Sequence, residues 1–197
     1  MIVKIKNARL GFAELFTAKA VNDGPPTHSC VFIFEKGGAN HKAIRSAMKD
    51  VAVAKWGAKG ESILKNLMKK ERVCLIDGNE MTDKEGNVYD GFKDNMAVRA
   101  SNAKRPMVLD RDRTPLTQAD GRPYSGSYVN GSIELWAQDN DYGQRINASL
   151  RGVQFYKEGD AFGGGIPVSE DEFDELGEGA DDDFDDEEDF DDIDDVA

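Results

Sequence analysis

Between Tyr128 and Phe155 the apolar residues fall on every second position, and this alternation decides most of what the chain can fold into. Val129, Ile133, Leu135 and Ala137 share one side of an extended segment, and Ile146, Ala148 and Leu150 share one side of the next. A period of two is the mark of a strand with one face on a core. Asp139-Asn140-Asp141-Tyr142-Gly143 between the two runs reads as a hairpin turn. After Leu150 the phase shifts, so that Val153 and Phe155 become the inward pair, and a β-bulge at Gly152 is predicted. The outward row of the first strand is Tyr128, Asn130, Ser132, Glu134, Trp136 and Gln138, and Arg151 joins that face from the second.

Upstream, Val3 and Ile5 alternate with Lys4 and Lys6, predicting a half-buried strand over Val3 to Phe12 with one basic face. Ser29 to Phe34 is apolar on both sides, as in a strand covered on each face. The period then changes. Ile44, Ala47, Met48, Val51 and Ala52, followed by Ile63, Leu64, Leu67 and Met68, predict two helices separated by a break at Gly57 to Gly60. Their lysines, including Lys49 and Lys65, read as a solvated face. Val73 to Ile76 and Phe92 to Ser101 return to a strand pattern, with Arg99 pointing outward. Asn102 to Gly126 reads as one long loop holding Lys104, Arg105, Arg111, Arg113, Arg122 and Tyr124, where arginine forks suit phosphate and an aromatic plate suits a base. Local pairing of Arg111 and Arg113 with Asp110 and Asp112 is the competing explanation.

The end of the chain has a different chemistry. Residues 170–197 hold 18 of the 38 acids and none of the 25 bases, so a chain of net charge −13 contains a body, residues 1–169, of net +5. Such a tail repels itself and has little to bury, which predicts disorder. Phe184, Phe190 and Ile193 are spaced through the acid as docking anchors for partners, while a plain solubility tail is the simpler reading. The expected organisation is a nucleic-acid-binding domain over 1–160, a Gly-rich linker over 161–169 and a disordered acidic tail over 170–197.

Other chemistries find little footing. Cys30 and Cys74 read as buried free thiols, and with His28 and His41 they match no zinc spacing. Asp77, Asn79 and Asp83 fail the grammar of a calcium loop, so no metal and no cofactor is expected. No phosphate-binding Gly-Lys-Ser/Thr loop or nucleophile set is present, and the chain reads as a binding protein rather than an enzyme. The N-terminal residues carry neither a signal peptide nor a membrane span, which predicts a soluble intracellular protein that makes no membrane contact.

Short strands, glycine-marked curvature and a helical insertion predict a mainly β fold, an OB-fold-like, five-stranded, partly open barrel with a two-helix segment. One of its surfaces would gather Lys4, Lys6, Arg99, Tyr124, Tyr128, Trp136 and Arg151, a mixture of cations and aromatics suited to single-stranded nucleic acid without sequence preference. An acidic-tailed protein chaperone or DNA mimic that binds basic proteins is the rival reading.

The run Tyr124-Ser125-Gly126-Ser127-Tyr128-Val129-Asn130-Gly131-Ser132-Ile133, with Trp136, Leu150-Arg151-Gly152-Val153-Gln154-Phe155 and Gly163-Gly164-Gly165, resembles the bacteriophage single-stranded DNA-binding proteins that join an OB-fold to an acidic C-terminal tail. The resemblance spans most of residues 1–165 and the tail's character. It implies a protein that coats exposed strands of single-stranded DNA during phage DNA replication and recombination in the cytoplasm of an infected bacterial cell. It also implies a tail that competes with DNA and recruits replication proteins such as a DNA polymerase, and it leaves room for a homodimer.

Overall fold

The structure is a computed structural model that describes residues 1–20 and 24–163. Seven strands, β1 (Ile2–Lys19), β2 (Thr27–Glu35), β3 (Leu75–Asp77), β4 (Asn95–Asn102), β5 (Met107–Leu109), β6 (Tyr128–Asn140) and β7 (Gly143–Lys157), form one sheet in the order β3-β4-β2-β1-β6-β7-β5. A parallel pairing of Ser101 in β4 with Ser149 in β7 closes β1, β2, β4, β6 and β7 into a barrel. The two three-residue strands flank it, β3 on β4 and β5 on β7.

The inward rows meet as the alternation requires. Val129, Ile133, Leu135, Ile146, Leu150, Val153 and Phe155 pack with Ile5, Leu10, Phe32 and Val98 in one core. The phase shift in β7 is a bulge: Ile133 pairs with Leu150 and Ser132 with Gly152, leaving Arg151 unpaired and exposed between them. Two-sided burial of β2 also holds, because Val31 and Ile33 pack outside the barrel beneath Phe92 and Ala97.

β1 is longer than its alternation suggests. Its register slips between Ile5 and Ala8 against β6, and between Gly11 and Glu14 against β2. The buried positions therefore step through Val3, Ile5, Ala8, Leu10 and Leu15, which erases period two over the whole length. Asn7 and Phe12 take positive φ at these slips, 48° and 47°. The first is held from both sides. The Asn7 N–H donates to Asn130 Oδ1 at 3.0 Å, and Asn40 both accepts from the Lys6 N–H at 3.0 Å and donates to the Lys6 carbonyl at 2.8 Å.

The predicted helices are α1 (Ala39–Trp56) and α2 (Gly60–Lys69), joined by a 3-10 turn over Gly57–Lys59. α1 lays Ile44, Ala47, Met48, Val51 and Ala52 on the barrel, and α2 adds Leu64 and Leu67. The helices come so close that a Cβ on Gly60 would lie 2.6 Å from the Ala52 carbonyl oxygen. Trp56 closes α1 against the hairpin end of the barrel by donating its Nε1 hydrogen to Asp139 Oδ2 at 2.7 Å. That bond, with a second from Gln144, holds the Asp139 carboxyl below the usual carboxylate range.

The stretch expected to be one long loop is more ordered than its proline content suggested. It contains β5 and a 3-10 turn over Gln118–Asp120, and Leu116 is buried in the core. Both cysteines are buried and unpaired. Burial pushes the Cys30 thiol far up and the Cys74 thiol to about 12.

Gly131 faces the barrel interior, and a Cβ built there would sit 2.5 Å from the fully buried Phe32 ring. Gly131→Ala is expected to lower stability by about 1–3 kcal/mol through overpacking. The measurement is urea unfolding, with the midpoint lowered at an unchanged m-value.

Candidate nucleic-acid interface

β4 and β7 share only the Ser101–Ser149 pairing, and on the hairpin side of that point they diverge. The gap is crossed once more by Val73 beside Ile146, where the Ile146 N–H donates to the Arg72 carbonyl at 3.1 Å. Between these contacts lies an open groove of about 790 Å³. Arg99 and Ser101 of β4 form one wall, and Trp136, Asn147 and Ser149 of β6 and β7 form the other. Lys69, Arg72 and Arg145 bring three more cations to its lining, against the acids Glu71 and Glu80.

Trp136 is the exposed aromatic of this groove, at 43 % relative exposure. Its Nε1 hydrogen goes to Ser149 Oγ at 3.0 Å, which fixes the ring's position and leaves carbon surface open. The Arg99 guanidinium donates to the Met81 sulfur at 3.9 Å, and neither Arg99, Arg145 nor Lys69 pairs with a carboxylate among the described residues. Arg72 donates Nη2–H to the Tyr142 carbonyl at 2.7 Å, which fixes its guanidinium against the hairpin tip. Tyr142 itself stands 84 % exposed.

The register carries the basic face onward from the groove. Lys4 sits opposite Ser132, Ser132 opposite Gly152, and the bulged Arg151 projects beside Glu134, with Nη1 and Oε2 3.2 Å apart. Both partners of that pair are about half exposed, so it is a weak surface contact that an incoming phosphate can replace. Lys6 is exposed at the bulge of β1. At the far end Gln154 donates to the carbonyls of Asp110 and Arg111, both at 3.2 Å, which moors the Arg111 turn against β7.

The expectation of one patch joining Tyr124, Tyr128 and Trp136 needs correction. Tyr128 and Trp136 lie eight residues apart on β6, about 26 Å along an extended strand. Tyr128 is half-buried, with the Arg9 guanidinium 5.0 Å and the Lys157 ammonium 4.4 Å from its ring centroid. The Tyr124 hydroxyl donates to the Gly159 carbonyl at 3.0 Å, so this ring is packed under the segment that leaves β7. The arginines of 102–126 likewise do not form one cluster. Arg105 stacks on Phe16 at 5.5 Å, and Arg122 pairs with Asp110 at 3.0 Å over the Phe155 ring, which makes it a structural residue. It is Arg122, rather than Arg111 or Arg113, that takes the neighbouring carboxylate; those two remain exposed with Lys104.

Asp77 gives its carboxylate to Lys36 at 2.7 Å and to the Asn79 N–H, contacts that hold its pKa below the usual carboxylate range. The tail anchors Phe184, Phe190 and Ile193 lie outside the described residues.

A family profile described as "Enterobacter phage Enc34, ssDNA-binding protein" matches residues 1–190. The chain belongs to this family. Protein p50 of Acyrthosiphon pisum secondary endosymbiont phage 1 is 42 % identical to this chain over 180 residues, which cover 89 % of this chain and 94 % of that protein. Among solved structures, the single-stranded DNA-binding protein of bacteriophage Enc34 in complex with ssDNA aligns with TM-score 0.67 at 24 % identity, over 82 % of this chain and 89 % of that one. Bacteriophage T7 gp2.5, a single-stranded DNA binding protein, aligns with TM-score 0.52 at 14 % identity, over 92 % of this chain and 99 % of its own. At these identities the two structures establish a shared barrel fold.

Reading the residues alone missed Lys69, Arg72, Arg145 and Tyr142. Tyr142 carried a signal, an aromatic placed at the tip of a tight turn, where nothing can bury it. The three cations carried none, since they come from a helix end, a linker and a strand that only barrel closure brings together.

Because the Trp136 ring is exposed and its indole hydrogen bond goes to a surface serine, Trp136→Ala is expected to change folding stability by no more than about 1 kcal/mol. Urea unfolding of the variant checks this, and a collapse of the fold would return the ring to the core.

Proposed function

We propose that this chain coats single-stranded DNA without reading its sequence, with the strand lying in the groove between β4 and β7. The observation that carries the reading is the open Trp136 ring with Arg99, Arg145 and Lys69 around the same groove, none of them paired with a carboxylate among the described residues. A nucleobase stacked on Trp136 gains about 1–3 kcal/mol whichever base it is. The cations neutralise phosphates on either side, and displaced counterions make the binding salt-dependent. Barrels of this topology use the sheet face and the loop between their last two strands for oligonucleotides. Here that loop is the β6–β7 hairpin, which carries Tyr142 and is braced by Arg72. Lys4, Lys6 and Arg151 extend the track across β1 and β7, and Arg111 and Lys104 border it.

The biological setting that follows is replication and recombination of phage DNA in the host cytoplasm, with a binding rather than a catalytic role. Residues 170–197 provide a tethered polyanion that competes with DNA for the basic body and, once displaced, is offered to replication proteins such as a DNA polymerase.

Three outcomes test this. Trp136→Ala is expected to weaken binding of a short oligothymidylate by about 1–3 kcal/mol, measured by fluorescence anisotropy. Arg99→Ala and Arg145→Ala are each expected to reduce the slope of log affinity against log salt by about 0.7; slopes unchanged in both would remove the groove from the contact. Deleting 170–197 is expected to tighten binding at low salt, and equal affinity with and without the tail would end the competition model.

A further inference from the structure

An apolar cavity of about 260 Å³ opens between β1 and the loop that joins β3 to β4, and no part of the DNA reading uses it. Phe12, Tyr89, Phe92 and Phe162 supply its rings. Phe12 and Tyr89 are exposed and meet edge to face at 5.1 Å between centroids, while Phe92 is buried against Val31 and Ile33. The loop is held in shape by its own bonds: the Tyr89 N–H donates to the Met81 carbonyl at 3.0 Å, and the Asp83 carboxylate accepts from the N–H groups of Glu85 at 2.8 Å and Asn87 at 2.9 Å. Such rings would suit a base, but the charge around them does not. Residues 77–94 carry six acids against two lysines, a net charge of −4 within a body of net +5. Asp90 belongs to the lining, and Glu80, Glu85, Asp90 and Asp94 form no ion pair among the described residues. Phosphates on either side of a base would be repelled there. An apolar cavity on an acidic face suits an apolar side chain carried beside cations.

We infer that this cavity takes Met107 of a second copy of the chain, with Lys104 and Arg105 of that copy set against the acidic loop. Met107 is 64 % exposed on β5, the strand at one edge of the sheet. Lys104 and Arg105 just before it are exposed, and the nearest acid in sequence, Asp110, is taken by Arg122 at 3.0 Å. Tyr142 is more exposed, but it follows Asp139 and Asp141 and would bring like charge to the loop. A flexible thioether fills an irregular cavity, and sulfur against aromatic rings is itself a favourable contact. The two halves of the contact lie at different places on one copy, the cavity on β1 and Met107 on β5, so the joint is heterologous and can repeat from copy to copy. One side chain and a few hydrated charges make it weak in free solution. Copies held next to each other on one strand would meet at high effective concentration, and the same contact would then favour filling the strand without gaps. The contact itself stands on the two surfaces; its part in coating DNA rests on the function proposed above.

The test mixes two forms of the full chain. One carries Ala103→Cys with a nitroxide label and no isotope enrichment; the other is isotopically enriched, so that only its amides appear in NMR spectra. Ala103 is exposed, whereas Cys30 and Cys74 are buried with raised thiol pKa values, so the introduced cysteine is the reactive one. Broadening between copies is expected at the amides of Gly11, Phe12, Tyr89 and Asp90. It is expected to vanish when the nitroxide chain also carries Met107→Asp, and when the enriched chain carries Asp90→Lys; all three substituted positions are on the surface. Broadening that is absent, that falls elsewhere, or that survives either substitution would overturn the contact. In a parallel titration, Met107→Asp is expected to bind a short oligothymidylate as the parent does and to lose several-fold in affinity for long polythymidylate. An equal loss on both strands would assign Met107 to DNA, and no loss on the long strand would remove the contact from coating, so either overturns that role. If no form of the chain binds either strand while the broadening persists, the DNA reading fails and the contact between copies survives.

Discussion

Barrel closure through one residue pair governs the rest of this molecule. β4 and β7 run parallel, meet at Ser101 and Ser149, and then part, so the wall is continuous on one side of that contact and open on the other. On the continuous side β5 takes over from β4 as the neighbour of β7, and Asn102 spans the exchange by donating to the Leu150 carbonyl at 3.0 Å. On the open side no strand fills the place. The backbone of Arg72 and Val73 reaches Ile146 once, and the remaining width is the groove. A five-stranded barrel whose interior is already filled by Phe32, Leu135, Ile146 and Leu150 does not need further closure for stability. It can leave polar edge and side-chain groups exposed to a ligand.

The sequence disclosed most of the fold where alternation was uninterrupted. β6, β7, the bulge that frees Arg151 and the two helices all follow from the spacing of apolar residues, because each of those elements buries one face against one core. β1 was legible only at its start, since three register slips reset which residues point inward, and a slip leaves no pattern until the partner strand is known. β5 was hidden for another reason: three residues among prolines and arginines are too few to show a period. The site divides along the same line. Trp136 stood out as a large aromatic in a polar row, and its exposure in the structure agrees with that reading. Tyr124 and Tyr128 sit in equally polar surroundings, yet the chain leaving β7 returns over them through Gly159, a long-range packing event that no local pattern encodes.

Charge shows how weakly a residue's identity predicts its use. The stretch after Asn102 drew attention in the sequence as a loop with four arginines. Within it Arg122 is consumed by Asp110 and Phe155, and Arg105 lies on Phe16. Arg99, Arg145 and Lys69, distant from one another in sequence, line the groove with no carboxylate partner among the described residues. Desolvation explains the difference. A guanidinium laid on an aromatic face, as Arg122 is on Phe155 and Arg105 on Phe16, has part of its surface taken up by the protein, whereas one lining an open groove is hydrated until a polyanion arrives.

A body of net +5 facing a tail with eighteen acids must solve a problem of selectivity, because any polyanion can occupy any basic surface. Charge therefore does not choose among polyanions, whereas the carbon surface beside the cations can. The groove between β4 and β7 presents the exposed Trp136 ring, whose flat face suits a base. The cleft between α1 and α2 presents Met48, Leu64 and Met68, whose thioether and branched side chains offer no flat platform. Two basic surfaces of one body thus differ in the apolar groups they set beside their charge, and it is on that difference, rather than on net charge, that discrimination between ligands can rest.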